Sequence, residues 1–565
     1  MQTSRWNKQN LIQALGSITE AEQEVSTFFA TKFDWDLKTE QQKIESDVNK
    51  SAPDEEITNS NYLSNLDKLI DFATNTVVID SRQIIGNENK GCIFLALPGN
   101  NFDGSDFAVN ALANGASICL VEKIPSNLPH KYQNRIAVVP NSHLALIKMA
   151  IYARNNSNAN VICITGSCGK TTTKEMIRIA LEEIAHSDYI HTTIGNYNNH
   201  YGLPLTLANL PPETKYAVLE LGMNGSGEIS VLSKIARPQI AIITGIYNAH
   251  REYFADIKGI ANAKAEICDG LISGTLIVNA DIDRECYDIV FQKATEMNAR
   301  IITYGSIKTE KNLDIIVDKT NSTLITSEKT QNTIQNSKQL DKNIKNYCER
   351  TEITANTSNN KQYHYHLPSI GHHLVLNSLA IIGVGLALAN SGSINSTLDC
   401  EDYIPKLLQG LQNFTPPNGR GNIYFGRNNG VVIIDESYNA NPDSMKAAIR
   451  RAHQYRQLYR NQRLLLILGD MKELGANAKK MHLDLKDVII SSQVDIIHTV
   501  GEISKELYKT LQQKIKGSAT YSSAEMVAQI AKPNSSIVQQ GDVILVKGSN
   551  SMGLKSVVKI LYEMF

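Results

Sequence analysis

Strong net charge of either sign is missing from this sequence. Its 565 residues include 56 Lys and Arg against 57 Asp and Glu, and the formal net charge at pH 7 is -1. Nucleic acid and anionic membrane surfaces are attracted by a strong positive field, which a near-neutral chain does not generate. We therefore expect no nucleic acid among the partners of this protein and no membrane insertion.

The sequence also has few cysteines and no long uninterrupted apolar run. Its eight cysteines form no C-x-x-C pair, and Cys92, Cys119 and Cys163 lie in apolar runs, as is typical of reduced thiols in cytosol. The longest apolar stretch, residues 374–389, contains two polar residues and is too short to span a bilayer comfortably. The opening residues lack the apolar core of a secretory signal. We expect a cytoplasmic monomer.

What the sequence does contain is an alternation of strand-like and helical patterns. Strand-like runs at 217–221, 240–244 and 275–279 are separated by helical segments. This alternation is typical of an α/β fold with a mostly parallel sheet, whose ligands collect at the carboxyl ends of the strands. Because 565 residues exceed a single hydrophobic core, several such domains are expected.

Three domains are predicted from the order of these patterns. Residues 1–155 form a small α/β domain, residues 156–412 a central domain with a parallel sheet, and residues 413–565 a Rossmann-like α/β domain. Two polar stretches interrupt the alternation, at about 20–65 and about 306–361. Because both lack apolar periodicity, we interpret them as solvated insertions, the second able to carry a few edge strands.

A phosphate-binding loop is the strongest motif in the chain. The β-branched run 161–165 leads into two glycines, a lysine and three threonines, and a helical pattern follows. Backbone N–H groups of such a loop surround anionic oxygens, while the lysine adds charge and a hydroxyl reaches a magnesium ion. A glycine turn before an ordinary helix is the alternative, but the flanking strand and helix favour nucleotide binding. The predicted loop residues are Thr165, Gly166, Ser167, Cys168, Gly169, Lys170, Thr171 and Thr172.

Three further candidates follow later strands. Glu220 lies near the end of the first strand-like run, where a carboxylate can hold the magnesium ion that Thr171 also touches. An exposed strand-end acid is the alternative interpretation. His250 and Lys264 follow the second run, and their spacing alone leaves open whether they share the pocket or lie on the surface.

Four segments together resemble one enzyme family. They are Thr165-Gly166-Ser167-Cys168-Gly169-Lys170-Thr171-Thr172, Leu219-Glu220-Leu221-Gly222, Asn248-Ala249-His250 and Ala263-Lys264. In this order they resemble the Mur ligases, ATP-dependent enzymes that form amide bonds in peptidoglycan synthesis. The resemblance covers about residues 76–305 and 365–565, and also the first helix. It implies a UDP-substrate-binding first domain, an ATP-binding central domain and a third domain that closes over ATP.

The resemblance implies a reaction. The γ-phosphate of ATP is transferred to a peptide carboxylate, and an amine then attacks the acyl phosphate. Since two anions must approach each other, the site needs concentrated positive charge. The resemblance gives catalytic roles to Lys170, Glu220, His250 and Lys264. It places one magnesium ion on Thr171 and Glu220 and a second on His250, and it implies that Lys264 is carbamylated and binds metal.

The resemblance also implies binding residues in each domain. One departure from the family pattern is Leu374, which replaces an asparagine and puts an adenine contact in doubt. The residues implied for substrate are Ser81, Arg82, Asn198, Asn199, Tyr438, Asn439 and Asn441, and those implied for ATP outside the loop are His373, Asn377, Arg420 and Asp435.

Three other segments resemble one branch of the family. Residues 195–207, 435–442 and 468–475 look like the members that join D-alanyl-D-alanine to UDP-N-acetylmuramoyl-tripeptide. We therefore expect these two substrates, with ATP and Mg²⁺ as cofactors. A related ligase that adds single amino acids, folylpolyglutamate synthetase and an ATP-binding switch protein are the alternatives. A switch needs no second anionic substrate site, so the first domain would then have no role.

Overall fold

The architecture is taken from a computed structural model and has three larger sheets with helices packed on them. This arrangement confirms the predicted α/β class. The structure describes residues 4–16, 27–28, 32, 66–84, 89–99, 101–248, 252–271, 273–306, 313–326, 347–390, 400–425, 431–458, 462–532 and 535–565. Most of the predicted insertion at 20–65 lies outside these residues.

The first unit is a four-stranded parallel sheet, preceded in the chain by a two-stranded ladder. Its strands are β1 (Trp6–Asn7), β2 (Ala73–Thr74), β3 (Val77–Val78), β4 (Ile93–Leu95), β5 (Ile118–Val121) and β6 (Ile136–Val138), and its helices are α1 (Lys8–Gly16), α2 (Ala108–Asn114) and α3 (Ser142–Asn155). The order is β3-β4-β5-β6, with β1 pairing β2. Trp6 is fully buried, and its Nε1 donates to the Ala208 carbonyl at 3.0 Å. This bond ties the N-terminal strand to the central unit.

The central unit is built on nine strands. They are β7 (Asn160–Thr165), β8 (Ile190–Thr192), β9 (Tyr216–Glu220), β10 (Ile240–Ile243), β11 (Thr275–Asn279), β12 (Arg300–Gly305), β13 (Ile315–Thr326), β14 (Tyr347–Thr357) and β15 (Gln362–Leu367). The sheet order is β15-β14-β13-β12-β11-β10-β7-β9-β8, parallel except where β14 pairs with β13 and β15. Since β7 lies between β10 and β9, a crevice opens at its carboxyl end.

Helices cover both faces of this sheet. They are α4 (Lys170–Glu182), α5 (Gly202–Ala208), α6 (Glu228–Ala236), α7 (Ile257–Ala265), α8 (Arg284–Glu296), α9 (His372–Asn390) and α10 (Cys400–Gly410). Among the residues that the structure describes, α9 alone is long and apolar enough to cross a membrane by length and composition, and most of its residues are buried. It packs on α4, α10, β11 and β12, so its apolar surface is covered by the protein's own core.

Part of the polar range 306–361 forms strands at one edge of the central sheet, as the predicted edge strands require, but one face of these strands is buried and not solvated. Buried and more exposed side chains alternate in β14 and β15, and Ile353, Ala355 and Tyr365 are buried in the cluster that contains α9. The Tyr365 hydroxyl lies 2.8 Å from Ser378 Oγ of that helix. One face of these strands is polar, so the alternation was hidden in a composition rich in Asn, Thr and Lys. Residues 307–312 and 327–346 lie outside the described ranges.

The third unit is a six-stranded sheet. Its strands are β16 (Asn422–Phe425), β17 (Val432–Glu436), β18 (Leu464–Gly469), β19 (Ile496–Val500), β20 (Lys516–Thr520) and β21 (Val543–Lys547), and its helices are α11 (Pro442–Leu458), α12 (Ala478–Leu483), α13 (Lys486–Ser491), α14 (Glu502–Leu511), α15 (Ser523–Ile530) and α16 (Lys555–Met564). The order is β16-β17-β21-β18-β19-β20, and only β16 is antiparallel to its neighbour. The domain boundaries near 155 and 412 stay predictions.

Candidate functional site

A cleft of about 1240 Å³ lies between the central and third sheets. Strand ends line it from both sides: Glu220, Thr244 and Asn279 from β9, β10 and β11, and Glu436 and Lys547 from β17 and β21. The carboxyl ends of parallel strands thus meet across the cleft, where α/β proteins bind ligands.

The predicted phosphate loop borders this cleft between β7 and α4. Gly166 and Gly169 have φ angles of +149° and +85°. A Cβ atom on Gly166 would lie 2.1 Å from Thr244 Oγ1, and one on Gly169 would lie 2.9 Å from Asn377 Oδ1. Because no side chain fits at either position, the backbone forms a narrow cradle at the helix N-terminus, as phosphate binding requires.

The loop is held by the strand beside it. Ser167 Oγ donates to the Tyr247 carbonyl at 3.1 Å and accepts from the Tyr247 N–H at 3.0 Å. Thr244 Oγ1 donates to the Cys168 carbonyl at 2.5 Å. Burial raises the pKa of the Cys168 thiol to about 11, so this sulfur is protonated near neutral pH and is a poor nucleophile. Cys168 contributes its backbone carbonyl to the contacts that hold the loop.

Lys170 is the first residue of α4, and its Nζ donates to the Gly166 carbonyl at 2.7 Å. Burial lowers the pKa of Lys170, the Glu220 carboxylate opposes that shift, and the Arg420 charge adds to it. Two cations therefore share a desolvated space, which an anionic ligand would stabilise.

Glu220 links the loop to the segment after β8. The Thr171 hydroxyl donates to Glu220 Oε2 at 2.8 Å, and Asn198 Nδ2 donates to Glu220 Oε1 at 2.9 Å. Glu220 is 2% exposed. A hydroxyl and a carboxylate held together beside a phosphate loop are the oxygen ligands that Mg²⁺ prefers, so this pair fits the predicted metal site.

Lys264 lies on α7, lines the cleft and is 1% exposed. Burial lowers its pKa well below the usual value, and the nearby Lys170 lowers it further. No three His, Cys, Asp or Glu residues within the described ranges are grouped so as to hold a metal ion. The predicted second metal ligand, His250, lies outside those ranges.

His373 and Asn377 start α9 one turn apart, and both line the cleft. Burial lowers the pKa of His373 to about 4, so its imidazole is neutral near pH 7. Leu374, between them, is 1% exposed and packs in the apolar cluster under the helix. Leu374, the residue that departs from the family pattern, therefore points into the core, whereas His373 and Asn377 keep positions that face the cleft.

The third sheet contributes the opposite wall. The guanidinium carbon of Arg420 lies 4.0 Å from the centroid of the Tyr438 ring, a cation–π contact that orients the arginine. Lys547 Nζ donates to the Asn439 carbonyl at 2.8 Å. Arg420, Tyr438, Asn439 and Asn441 all line the cleft. The ligand contacts that the resemblance implies for them stay predictions.

Asp435 does not line the cleft in the described part of the chain. It is 5% exposed and accepts from the Ser437 N–H at 3.0 Å. Its neighbour Glu436 faces the cleft instead, 3.5 Å from Lys547. Burial raises the pKa of Glu436, but Lys547 and Arg451 lower it by more, so it stays ionised. Because successive residues of a strand point to opposite faces of the sheet, Glu436 can face the cleft while Asp435 does not.

The two uridine-nucleotide candidates lie apart from these residues. Ser81 and Arg82 begin a short turn after β3, and the Arg82 side chain is 86% exposed and paired with Asp80 at 2.8 Å. Gln83 Nε2 in the same turn donates to the Tyr197 hydroxyl at 3.4 Å. The turn is thus near the segment that carries Asn198, but neither Ser81 nor Arg82 is among the cleft-lining residues described.

Asn199 has a structural partner of its own. Its Oδ1 accepts from the N–H of Gly202, the first residue of α5, at 2.9 Å. Several cleft residues were missed by the sequence interpretation, among them Lys32 and Asp443. Lys32 Nζ lies 2.5 Å from Glu228 Oε1, and Asp443 of α11 accepts a backbone hydrogen bond from Asn248. Neither lies in a recognisable motif, because each is brought to the cleft only by packing between distant segments.

The fold and the cleft define an ATP-dependent ligase. Three family models match the chain in succession: the Mur ligase family catalytic domain over residues 74–154, the Mur ligase middle domain over 164–385, and the Mur ligase glutamate ligase domain over 419–550. The chain belongs to the Mur ligase family, whose members are ATP-dependent amide-bond-forming enzymes.

Curated relatives agree over most of the chain. It is 30% identical over 485 residues to the UDP-N-acetylmuramoyl-tripeptide–D-alanyl-D-alanine ligase of Rickettsia prowazekii, covering 86% of this chain and 94% of that protein. It is 32% identical over 500 residues to the Escherichia coli protein of the same name, with coverage of 87% and 95%. A crystal structure of MurF from Acinetobacter baumannii matches with a TM-score of 0.68 and 28% identity, covering 87% of this chain and 94% of that one.

Proposed function

We propose that this protein joins D-alanyl-D-alanine to UDP-N-acetylmuramoyl-tripeptide, with ATP converted to ADP and phosphate. The names of the relatives supply the two substrates. The observation that carries the proposal is the concentration of Lys170, Arg420 and Lys547 around one cleft. We also propose that it acts in the cytoplasm as a monomer.

The cationic cleft suits phosphate transfer to a carboxylate. A carboxylate oxygen is a poor leaving group, and transfer of the γ-phosphate converts it into a good one, so that an amine can form the amide and release phosphate. Triphosphate and carboxylate repel each other in water. Lys170 and Arg420, on opposite sides of the cleft, offset that repulsion at fixed positions, and electrostatic stabilisation of this kind is commonly the largest contribution to catalysis.

Magnesium is proposed as the second cofactor. Thr171 and Glu220 would hold it, since their oxygens already lie 2.8 Å apart beside the loop. Bound there, the ion would neutralise charge on the phosphates. Asn198 orients Glu220 through its 2.9 Å hydrogen bond, a contact that fixes a metal ligand in place.

Each sheet would supply a different ligand contact. We assign the UDP end of the first substrate to Ser81 and Arg82, as hydroxyl donor and cation for a diphosphate. His373 and Asn377 would face ATP from the start of α9. Tyr438, Asn439 and Asn441 would face the peptide and the incoming dipeptide from the third sheet.

The assignment is tested with the purified protein, ATP, UDP-N-acetylmuramoyl-tripeptide and D-alanyl-D-alanine. We expect a UDP-linked pentapeptide, identified by mass spectrometry, with ADP formed only when both acceptor substrates are present. With ¹⁸O in the reacting carboxylate, label should appear in the released phosphate. Unlabelled phosphate would contradict an acyl-phosphate route.

Two outcomes would favour the alternatives. Preference for a free amino acid over the dipeptide would indicate an amino-acid-adding ligase or a folylpolyglutamate synthetase. Hydrolysis of ATP that is indifferent to both acceptor substrates would indicate a nucleotide switch.

We propose that Lys264 is carbamylated. A lysine that is 1% exposed beside a second ammonium is better accommodated as a carbamate, whose oxygens bind metal. Lys264→Ala should lose activity that short-chain carboxylic acids restore, whereas Lys170→Ala, which removes a cation, should show no rescue. Equal rescue of both variants, or of neither, would contradict the carbamate.

A further inference from the structure

A fully buried arginine lies where the central and third units meet. Arg451 is on α11, is 1% exposed and was not predicted as a site residue. Burying a guanidinium is costly unless its donors and its charge are matched. Its contacts are therefore informative.

The Arg451 side chain bonds the backbone on two sides. Its Nε donates to the Ile370 carbonyl at 2.6 Å, and its Nη2 donates to the Gly421 carbonyl at 3.0 Å. Ile370 immediately precedes the turn into α9, three residues before His373, whereas Gly421 directly follows Arg420. One rigid guanidinium thus sets the spacing between the backbone beside His373 and the backbone beside Arg420.

Two glycines make room for this side chain. Gly421 has φ +107°, and a Cβ atom there would lie 2.3 Å from Arg451 Nη1. Gly371 has φ +145°, and its Cβ would lie 3.4 Å from Arg451 Cδ and 3.0 Å from His373 Cε1. Since both positions are in the region that favours glycine, the backbone on each side is shaped to the arginine.

The charge of Arg451 is matched from both units. Glu436 of β17 lies 3.3 Å from Nη1. Glu349 of β14 accepts from the Ile370 N–H at 3.1 Å and, like Glu436, favours the charged form of Arg451. Glu436 also faces the cleft and pairs with Lys547 at 3.5 Å. The arginine therefore belongs to one network with a cleft residue.

We propose that Arg451 is a positioning residue that holds Arg420 and His373 at the separation needed for ATP. Arg451 borders the cleft but is only 1% exposed. It acts through the backbone of Gly421 and Ile370, to which it is bonded. The inference depends on the proposed function only in assigning ATP to these residues.

The test compares Arg451→Met and Arg451→Lys with a matched control, Arg154→Met. Arg154 is also buried, at 7% exposure, and donates to the carbonyls of Ala236, Ser157 and Arg237, but it is not in the cleft. Arg451→Met should bind a non-hydrolysable ATP analogue about tenfold more weakly, with kcat lowered about 100-fold, the cost of misplacing reacting groups by about 1 Å. The KM for the UDP substrate should be unchanged, and Arg451→Lys should be intermediate.

Arg154→Met should lower the thermal midpoint without changing nucleotide affinity or kcat. Wild-type analogue affinity and kcat in Arg451→Met, or an equal loss in Arg154→Met, would overturn the proposal. If Arg451→Met does not fold, Glu349→Gln provides the test. We expect it to weaken binding of the ATP analogue and to lower kcat, each by less than in Arg451→Met. Wild-type values of both would overturn the proposal. Binding of the ATP analogue is measured without the UDP-linked tripeptide and the dipeptide. A wrong ligase assignment would therefore show separately, as absence of the pentapeptide product in the ligation assay.

Discussion

At the scale of single residues, the cleft is organised by oppositely charged side chains. Lys170 and Arg420 approach from different units, and Glu220 and Glu436 lie at the strand ends beneath them. Every one of these side chains is at least partly desolvated, which strengthens the interactions between them and with any ligand. Substitutions of these residues should therefore change the ligation rate more than the free energy of unfolding.

Lys170→Ala should lower the ligation rate at least about 100-fold, as expected when one preorganised donor to a developing charge is removed. Binding of the UDP substrate should be retained, because its proposed contacts are on the first sheet. Steady-state rates and calorimetric titration measure the two effects. Arg178→Ala is the control, since Arg178 on the same helix pairs with Glu175 at 2.9 Å and should keep full activity. Equal loss of ligation and UDP-substrate binding in Lys170→Ala would contradict the assignment.

Thr171→Val should raise the magnesium concentration needed for half-maximal rate by about tenfold or more, because a proposed metal ligand is lost. The matched control is Thr173→Val. Thr173 Oγ1 is buried and has no hydrogen-bond partner in the described structure, so its replacement by a methyl should be nearly neutral. A magnesium titration of both variants checks this. An unchanged magnesium requirement in Thr171→Val would remove Thr171 from the metal site.

At the scale of elements, helix α9 joins the core to the cleft. Its first turn presents His373 and Asn377, while the following turns are buried against α4, α10 and two strands. The packing of the helix therefore sets the position of its first turn. Strands β13 to β15 extend the same core, through Ile353 and Ala355.

Leu379→Ala should destabilise the central unit by about 3 kcal/mol, because Leu379 is fully buried and its truncation leaves a cavity. Leu386→Ala, at a partly buried position on the same helix, should cost about 1 kcal/mol or less. Thermal midpoints of the two variants, by scanning calorimetry, give the comparison. Similar shifts for both would mean that α9 is not packed as described.

At the scale of the whole molecule, buried and partly buried histidines make stability depend on pH. Burial lowers the pKa of His191, His373 and His498 to about 4 and that of His143 to about 3. The unfolded chain then binds more protons than the folded one between about pH 4 and pH 6.5. This stabilising contribution is complete above about pH 6.5 and is lost as pH falls towards 4.

The thermal midpoint should therefore fall between pH 7 and pH 5. Over its full range each such histidine contributes on the order of 3 kcal/mol. His191→Gln should reduce the difference between the midpoints at pH 7 and pH 5, because one titrating histidine is removed. The glutamine amide can keep the 2.8 Å contact that His191 Nε2 makes with the Thr206 carbonyl. His130→Gln, at an exposed position, should leave the difference unchanged. Identical midpoints at both pH values in the wild-type chain would contradict the prediction.

The sequence by itself determined the α/β class, the phosphate loop and the family, because these depend on local order: a β-branched strand, two glycines and a helix must be contiguous to function. It also indicated residues on both walls of the cleft, since strand ends and helix starts can be located from the chain. Their catalytic and binding roles stay predictions.

Only the tertiary structure decided which face each side chain presents. It put Leu374 in the core and its neighbours in the cleft, and it placed Glu436 rather than Asp435 on the cleft wall. The ATP contact predicted for Asp435 stays a prediction. It also brought Arg451 between segments 30 and 81 residues away in the chain. Burial and ion pairing across such separations arise only when the units pack together, and no local pattern encodes that partner choice.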